Sequence, residues 1–222
     1  MRTETHKAEA ALRDAGAHAG APRVRRLGLC DYEPVWRRMQ EFNASRDART
    51  ADEVWLVEHH PVYTVGLAGR PEHLPVATDI PVIKVDRGGQ VTYHGPGQLV
   101  AYLLLDLDRR GLGVRRLVRR IETAVVDLLA ACGVAAEGRP QMPGVYVDGA
   151  KIAALGLRVR RGCCYHGVSL NVDMDLAPFA AIDPCGYPGL AVTQTKDRGI
   201  EAGIDELGDR LVHHLERQLG EA

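Results

Sequence analysis

Two residues could carry covalent chemistry together: Cys185, in Ile182-Asp-Pro-Cys-Gly186, and Lys151, in Gly149-Ala-Lys-Ile-Ala-Ala-Leu-Gly156. The thiolate is the nucleophile, and a free thiol with a pKa near ~8.5 is only a few per cent ionised at neutral pH. An ammonium group a few ångströms away favours the ionised form, each pKa unit corresponding to about 1.4 kcal/mol. Such a pair suits acyl transfer through a thioester. Taken singly, each residue has a plainer reading, since a lone cysteine is most often a small buried hydrophobe and a lone lysine a solvated residue on a strand edge. Their settings favour chemistry. Pro184 and Gly186 flank the cysteine in a stretch with little helix or strand pattern, which reads as a loop. Small and apolar neighbours of Lys151 would bury it in part, lower its pKa and let it exchange protons.

A third segment, Arg87-Gly-Gly-Gln-Val-Thr-Tyr-His-Gly-Pro-Gly-Gln98, is rich in glycine. Glycine imposes no side chain and tolerates positive φ, so backbone there can approach a ligand closely. The plainer alternative is a tight turn feeding the next strand. A phosphate loop is a weak alternative, because Gly-x-x-x-x-Gly-Lys-Ser/Thr is absent and Arg-Gly-Gly does not open a helix. Cys30 and Cys132 fall on apolar element faces and are assigned to the core. Cys163-Cys164-x-His166 invites a metal reading, but adjacent strand residues point to opposite faces and no second ligand cluster accompanies them, so we expect no metal. His59-His60 and His213-His214 read as structural or solvated.

The elements that must position these groups alternate along the chain. Residues 24–30 read as a strand, and Asp31 as the cap of a helix to about Arg46 carrying Trp36, Met39 and Phe42 on one side. Residues 54–57 and 62–65 read as strands broken at Pro61, and 82–85 as another. Residues 99–107 form a nearly unbroken apolar run, the pattern of a strand covered on both faces. Val114, Leu117, Val118, Ile121, Val125, Leu128, Leu129 and Cys132 recur at helical spacing, with Gly133 as the stop. Asp148-Gly149 is a hairpin signal, Arg161-Gly162 a weaker one, and a last helix begins near Glu201. Strands followed by segregated helices predict an α+β fold, a mixed β-sheet with helices packed on it.

At 222 residues the chain suits one globular domain, expected over 23–222 after an N-terminal extension, 1–22, that carries neither a transit nor a secretory pattern. No apolar run approaches the ~18 residues of a membrane span. Five cysteines without disulfide-framework spacing suggest a reducing cytoplasm. A net charge of −1, with no aromatic stacking platform, argues against nucleic acid, and the lack of a surplus apolar helix face predicts a monomer.

Arg-Gly-Gly-x-x-Thr-Tyr-His-x-Pro-Gly-Gln, followed by Tyr102, resembles the lipoate-protein ligase B family, the lipoyl(octanoyl) transferases. The resemblance extends over about residues 25–200: Leu27-Gly-Leu29, Tyr32, Trp36, Met39 and Phe42 resemble that family's opening strand and first helix, and residues 58–66 its following hairpin. Residues 149–156, His166-Gly167, Asn171-Val172 and 179–186 follow in the expected order. The family's fold is similar to the biotin/lipoate protein ligase catalytic domain.

The resemblance implies transfer of an octanoyl group from octanoyl-acyl carrier protein to a lysine of a lipoyl domain, as in the E2 subunits of 2-oxoacid dehydrogenases and the glycine cleavage H protein. Cys185 would form the acyl thioester and Lys151 would activate it, with no cofactor and no ATP. Arg87, Gly88, Gly89, Gln90, Val91, Thr92, Tyr93 and His94 are expected to line the acyl pocket. Backbone at Ala154, Leu155 and Gly156 and at Gly167, Val168 and Ser169 would contact the acyl chain or carry part of an oxyanion site, and His94 and His166 would be pocket residues. Six arginines, Arg109, Arg110, Arg115, Arg116, Arg119 and Arg120, form either a solvated helix face or a dock for the acidic carrier. An ATP-dependent lipoate or biotin ligase is the rival reading, and a non-catalytic acyl- or lipoyl-domain-binding module the third.

Overall fold

The computed structural model describes residues 20–74, 78–182 and 189–220. Cys185 and most of the expected N-terminal extension lie outside the described residues. Among the described residues, ten strands and three α-helices occur in the order β1 (Arg23–Cys30), α1 (Tyr32–Ser45), β2 (Glu53–His59), β3 (Val62–Val65), β4 (Val82–Lys84), β5 (Val91–His94), β6 (Gln98–Asp106), α2 (Val114–Ala131), β7 (Glu137–Gly138), β8 (Val145–Val147), β9 (Ala150–Arg160), β10 (Cys163–Asn171) and α3 (Ile204–Gly220). Seven strands make one sheet, ordered β1-β2-β6-β10-β9-β8-β7, and β4-β3-β5 make a second. Among the named strands β1–β2 and β3–β4 pair in parallel and the others antiparallel, so the sheets are mixed, as the sequence predicts.

Strand β6 shows how one apolar run serves two layers. Successive side chains alternate between faces: Leu99, Ala101, Leu103 and Leu105 pack against α2 and α3, while Val100, Tyr102 and Leu104 pack against α1 with Tyr32, Val35 and Met39. Helix α2 presents Leu117, Ile121, Ala124, Val125, Leu128 and Leu129, and stops at Gly133, whose φ of 81° is open to glycine without strain. Asp148-Gly149 and Arg161-Gly162, with φ of 49°, 83°, 53° and 72°, close the β8–β9 and β9–β10 hairpins.

Four expectations are corrected. Residues 58–66 do not form a hairpin, because β2 pairs with β1 and β6 while β3 leaves for the small sheet. Asp31 occupies the cap position of α1 without a side-chain cap hydrogen bond, and the last helix begins at Ile204, not near Glu201. Arg109 and Arg110 do not join a free basic face. Both are bound to Asp52, at 2.7 and 2.6 Å, beside Arg46 at 2.5 Å. Burial alone would raise the Asp52 carboxyl, but the Asp106 N–H and these guanidinium groups hold it down.

Candidate active site

The glycine-rich segment splits into a loop, 86–90, and a strand, β5. The loop is stitched on two sides by backbone: Leu67 and Ala68 donate to the carbonyls of Arg87 and Gly89, Gly66 donates to Gln90, and Gly88 donates to Leu157 on β9. Gly66 is obligatory, since a Cβ there would lie 2.3 Å from the Gly89 oxygen. Between this loop, β5, β6, β9, β10 and Tyr32 lies a pocket of about 480 Å³, counted with the solvent space at its mouth.

Of the predicted acyl-pocket residues, Arg87, Gly89, Gln90, Val91, Thr92, His94, Ala154, Leu155, Gly156, His166, Gly167, Val168 and Ser169 line it. Tyr93 and Gly88 do not. Strand alternation sends Tyr93 to the opposite side, against Tyr63 and Phe179, and Gly88 lines a neighbouring groove. Tyr32, Val100 and Tyr102 complete the wall; the first and last stand in the sequence motifs but were not expected to line the pocket.

Most polar groups of the wall are tied to one another, whereas the buried Gln90 Oε1 and His166 Nδ1 have no hydrogen-bond partner among the described residues. Arg87 donates to the Thr64 hydroxyl and carbonyl oxygens, which leaves the hydroxyl hydrogen for His94 Nε2, 3.4 Å away. His94 Nδ1–H then donates to Gln98 Oε1 at 2.7 Å, Gln98 Nε2 to Asn171 Oδ1 at 2.9 Å, and Asn171 Nδ2 to the Thr193 carbonyl. Burial drives the His94 pKa down to about 3, with His59, Arg87 and His166 adding to the effect, so the ring is neutral. His59, read from sequence as structural or solvated, is fully buried behind Tyr102. Its Nδ1 donates to the Cys30 carbonyl and its Nε2 accepts from the Tyr102 hydroxyl at 2.7 Å, and burial lowers its pKa to about 4. Tyr102 in turn shares a hydrogen bond with Tyr32, whose pKa burial raises to about 12. The phenols and the His59 and His94 imidazoles spend their hydrogen bonds sideways, so the cavity meets ring faces together with Val100 and Ala154, while Val91, Leu155 and Val168 border it but pack their side chains into neighbouring clusters.

Asp86, just before the glycine-rich motif, is the residue that sequence reasoning missed on this side. Its carboxylate accepts from Trp36 Nε1 at 2.9 Å, Gln40 Nε2 at 3.1 Å, His166 Nε2 at 3.0 Å and the Tyr165 hydroxyl. Burial would raise this carboxyl, but the four donors outweigh it and hold the group below the usual carboxylate range. His166 sits at φ 62°, a left-handed conformation that a non-glycine residue adopts at a cost of order 1 kcal/mol. The Asp86 bond and stacking on Tyr165 hold its ring there.

Lys151 is 3% exposed, which removes the surface-lysine reading. It lies outside the pocket proper, in an adjoining cavity of about 290 Å³ that shares Thr92, Ala154 and Ser169 with it. Its Nζ donates to the Pro143 carbonyl at 3.3 Å and stands 5.2 Å from the centroid of the Tyr146 ring. Residues 191–193 pair beside it, Lys151 N–H donating to Ala191 and Thr193 N–H to Lys151. Gly144, at φ 143°, makes room: a Cβ there would come within 3.0 Å of Lys151 Cε. Glu122 of α2 holds that glycine by accepting its N–H at 2.9 Å. Burial raises the Glu122 carboxyl, and the Gly144 N–H, Lys151 and Arg119 offset part of the rise. The sequence signal for Glu122 is slight: a carboxylate four residues after Val118, at the edge of the apolar stripe. Of the other thiols, Cys164 is pushed by burial to about 12 and Cys163 is also raised, so neither is poised as a thiolate. Cys30 and Cys132, assigned to the core, are half-buried at its margin.

Residues 31–216 match the family described as "Lipoyl protein ligase A/B catalytic domain". This chain belongs to that family. Among its curated family relatives, the octanoyltransferase of Thiobacillus denitrificans is 63% identical over 196 residues, 88% of this chain and 90% of the relative. That of Chromobacterium violaceum is 61% identical over 88% of this chain and 95% of its own length. Among solved structures, a lipoate-protein ligase A bound with ATP superposes with a TM-score of 0.69 at 18% identity, over 89% of this chain and 85% of the other. A putative lipoate protein ligase of T. acidophilum with bound lipoic acid gives 0.72 at 18% identity over the same shares. At these identities the two structures establish the shared lipoyl-ligase catalytic fold. No helix among the described residues is long and apolar enough to cross a membrane.

Proposed function

We propose that the protein is an octanoyltransferase that moves octanoyl from octanoyl-acyl carrier protein to a lysine of lipoyl domains, in a reducing cytoplasm, through an acyl thioester on Cys185. The observation that carries the reading is the identity of 59–63%, over nearly the full length of relatives named octanoyltransferase. The pocket supports it chemically. A wall formed by ring faces, Val100, Ala154 and backbone, with His94, Tyr102 and Arg87 hydrogen-bonded within the wall, favours an alkyl chain, each methylene contributing about 0.8 kcal/mol on burial.

Cys185 follows Ile182 by three residues. Ile182 packs in the cluster that holds Phe179 and Val192, and both of those line the Lys151 cavity. A meeting of thiol and ammonium is therefore within reach of the chain. In the first half-reaction the Cys185 thiolate bonds to the acyl carbon, the donor's carbon–sulfur bond breaks, and the departing thiolate takes a proton from the Lys151 ammonium. In the second, the acceptor lysine's amine bonds to the acyl carbon, passes a proton to neutral Lys151, and Cys185 leaves as thiolate. Thioester and amine become amide and thiol, and no ATP enters the balance. Backbone N–H groups at residues 154–156 and 167–169 are the candidates for stabilising the oxyanion.

Octanoyl-carrier protein and a lipoyl domain, incubated with the purified chain in the absence of ATP, should give an octanoyl amide on the domain's lysine. Transfer appearing only with free octanoate and ATP would mean that the chain is a ligase.

A further inference from the structure

We propose that the groove between α2, residues 141–143 and β9 is the path of the donor's carrier arm, and that Arg115 and Arg119 on its flank hold the acidic carrier protein. This rests on the transfer reading and assigns the donor face of that site. The groove measures about 870 Å³ and is bordered by Val114, Val118, Met142 and Pro143. Gly89, Gln90, Leu155 and Gly156 border both the groove and the acyl pocket, so they form a common lip. The inner end is one hydrogen bond from the proposed proton carrier, because the Pro143 carbonyl accepts from Lys151 Nζ. The outer end is Val114, 43% exposed at the first residue of α2. A thioester lying near Lys151 would therefore lay the rest of its arm toward the start of α2.

The charges lie where that arm would end. Between Asp108 and Glu122 the chain has six arginines and no acidic residue. With Arg109 and Arg110 committed to Asp52, the exposed ones are Arg115, Arg116 and Arg119. Arg115 and Arg119 are one turn apart and stack along one flank, adjoining the Val114–Val118 line, with Arg116 further round. The first turn of α2 contains no acidic side chain, so the helix dipole adds to the positive potential. A phosphate-bearing arm on an acidic protein matches both features. The acceptor does not need the groove, because a lysine side chain is short and presents its amine directly.

The test uses the full chain and three octanoyl donors of increasing completeness: the N-acetylcysteamine thioester, the phosphopantetheine thioester and the carrier-protein thioester. Arg115→Glu should raise the KM for the carrier donor severalfold and flatten its salt dependence, with little change for the N-acetylcysteamine thioester. Val114→Glu, at an exposed position, should raise the KM for both phosphate-bearing donors. Equal effects on all three donors, or a raised KM for the lipoyl domain in place of the carrier, would overturn the assignment. A wild-type chain inert toward every thioester would instead overturn the transfer reading, and this inference with it.

Discussion

Asp86 and Glu122 stand beside the same site and are used in opposite ways. Asp86 accepts from Trp36, Gln40, Tyr165 and His166, side chains from α1 and β10. It is saturated and held below the usual carboxylate range. Glu122 accepts the Gly144 N–H and faces the charges of Lys151 and Arg119, and burial raises it. A carboxylate whose valences are filled by neutral donors fixes geometry, here the left-handed His166 and the pocket wall. One that faces an ammonium group sets a charge balance. Under the proposed mechanism the wall of this site serves shape, and the Lys151 side protonation.

The largest expected effect marks the ceiling for anything Glu122 does through the ammonium. Lys151→Met should lower transfer about 10²–10⁴-fold, the usual worth of a positioned proton carrier, with folding retained by circular dichroism. A smaller loss would leave the Lys151 side without chemistry. Asp86→Asn should act on stability, by about 2–4 kcal/mol, because a buried network loses its acceptor charge. The pH dependence gives the sign. The folded Asp86 carboxyl lies below its unfolded value, so its contribution is fully present above about pH 4 and is lost as the pH falls toward the folded pKa. Urea titrations should show the gap between wild type and variant at pH 7 closing in acid, and a gap that stays constant would mean that Asp86 acts only through packing.

Glu122→Gln should do the reverse. The amide oxygen can still accept from Gly144, so the melting temperature should move little, whereas Lys151 loses an anionic neighbour. The midpoint of the Lys151-dependent limb of the kcat–pH profile should fall by ~1 unit and kcat fall about tenfold. A lowered melting temperature with an unmoved midpoint would make Glu122 structural and remove the contrast. The smallest effect concerns the imidazoles. His59 and His94 lie at about 4 and about 3, below the ordinary histidine value near ~6.5. The unfolded chain therefore binds more protons in that range, and stability should fall on acidification by about 1.4 kcal/mol per pH unit for each ring. His94→Gln should halve that slope.

What the sequence made legible follows from the range of the interactions. The Asp148-Gly149 and Arg161-Gly162 turns, the apolar run of β6 and the stripe of α2 are local signals, and each forms where the spacing predicts. The destination of β3 is not local: residues 58–66 have the look of a hairpin, but β3 pairs with β4 and β5, and nothing in four residues names those partners. Strand β5 was hidden inside the glycine-rich motif because Val-Thr-Tyr-His is short and carries polar residues, and that alternation is also why Tyr93 faces away from the pocket. Arg109 and Arg110 looked free because Asp52 lies more than fifty residues upstream. Glycines and motif residues of the pocket could be read from the chain, whereas Asp86 and Glu122 depend on tertiary partners.

An acyl group held covalently by Cys185 would be read out by intact mass with peptide mapping. After incubation with octanoyl-carrier protein and no ATP, the account predicts one octanoyl group on Cys185, removed by hydroxylamine and by a lipoyl domain, and absent in Cys185→Ser. No adduct on Cys185, with transfer proceeding unimpaired in Cys185→Ser, would contradict it.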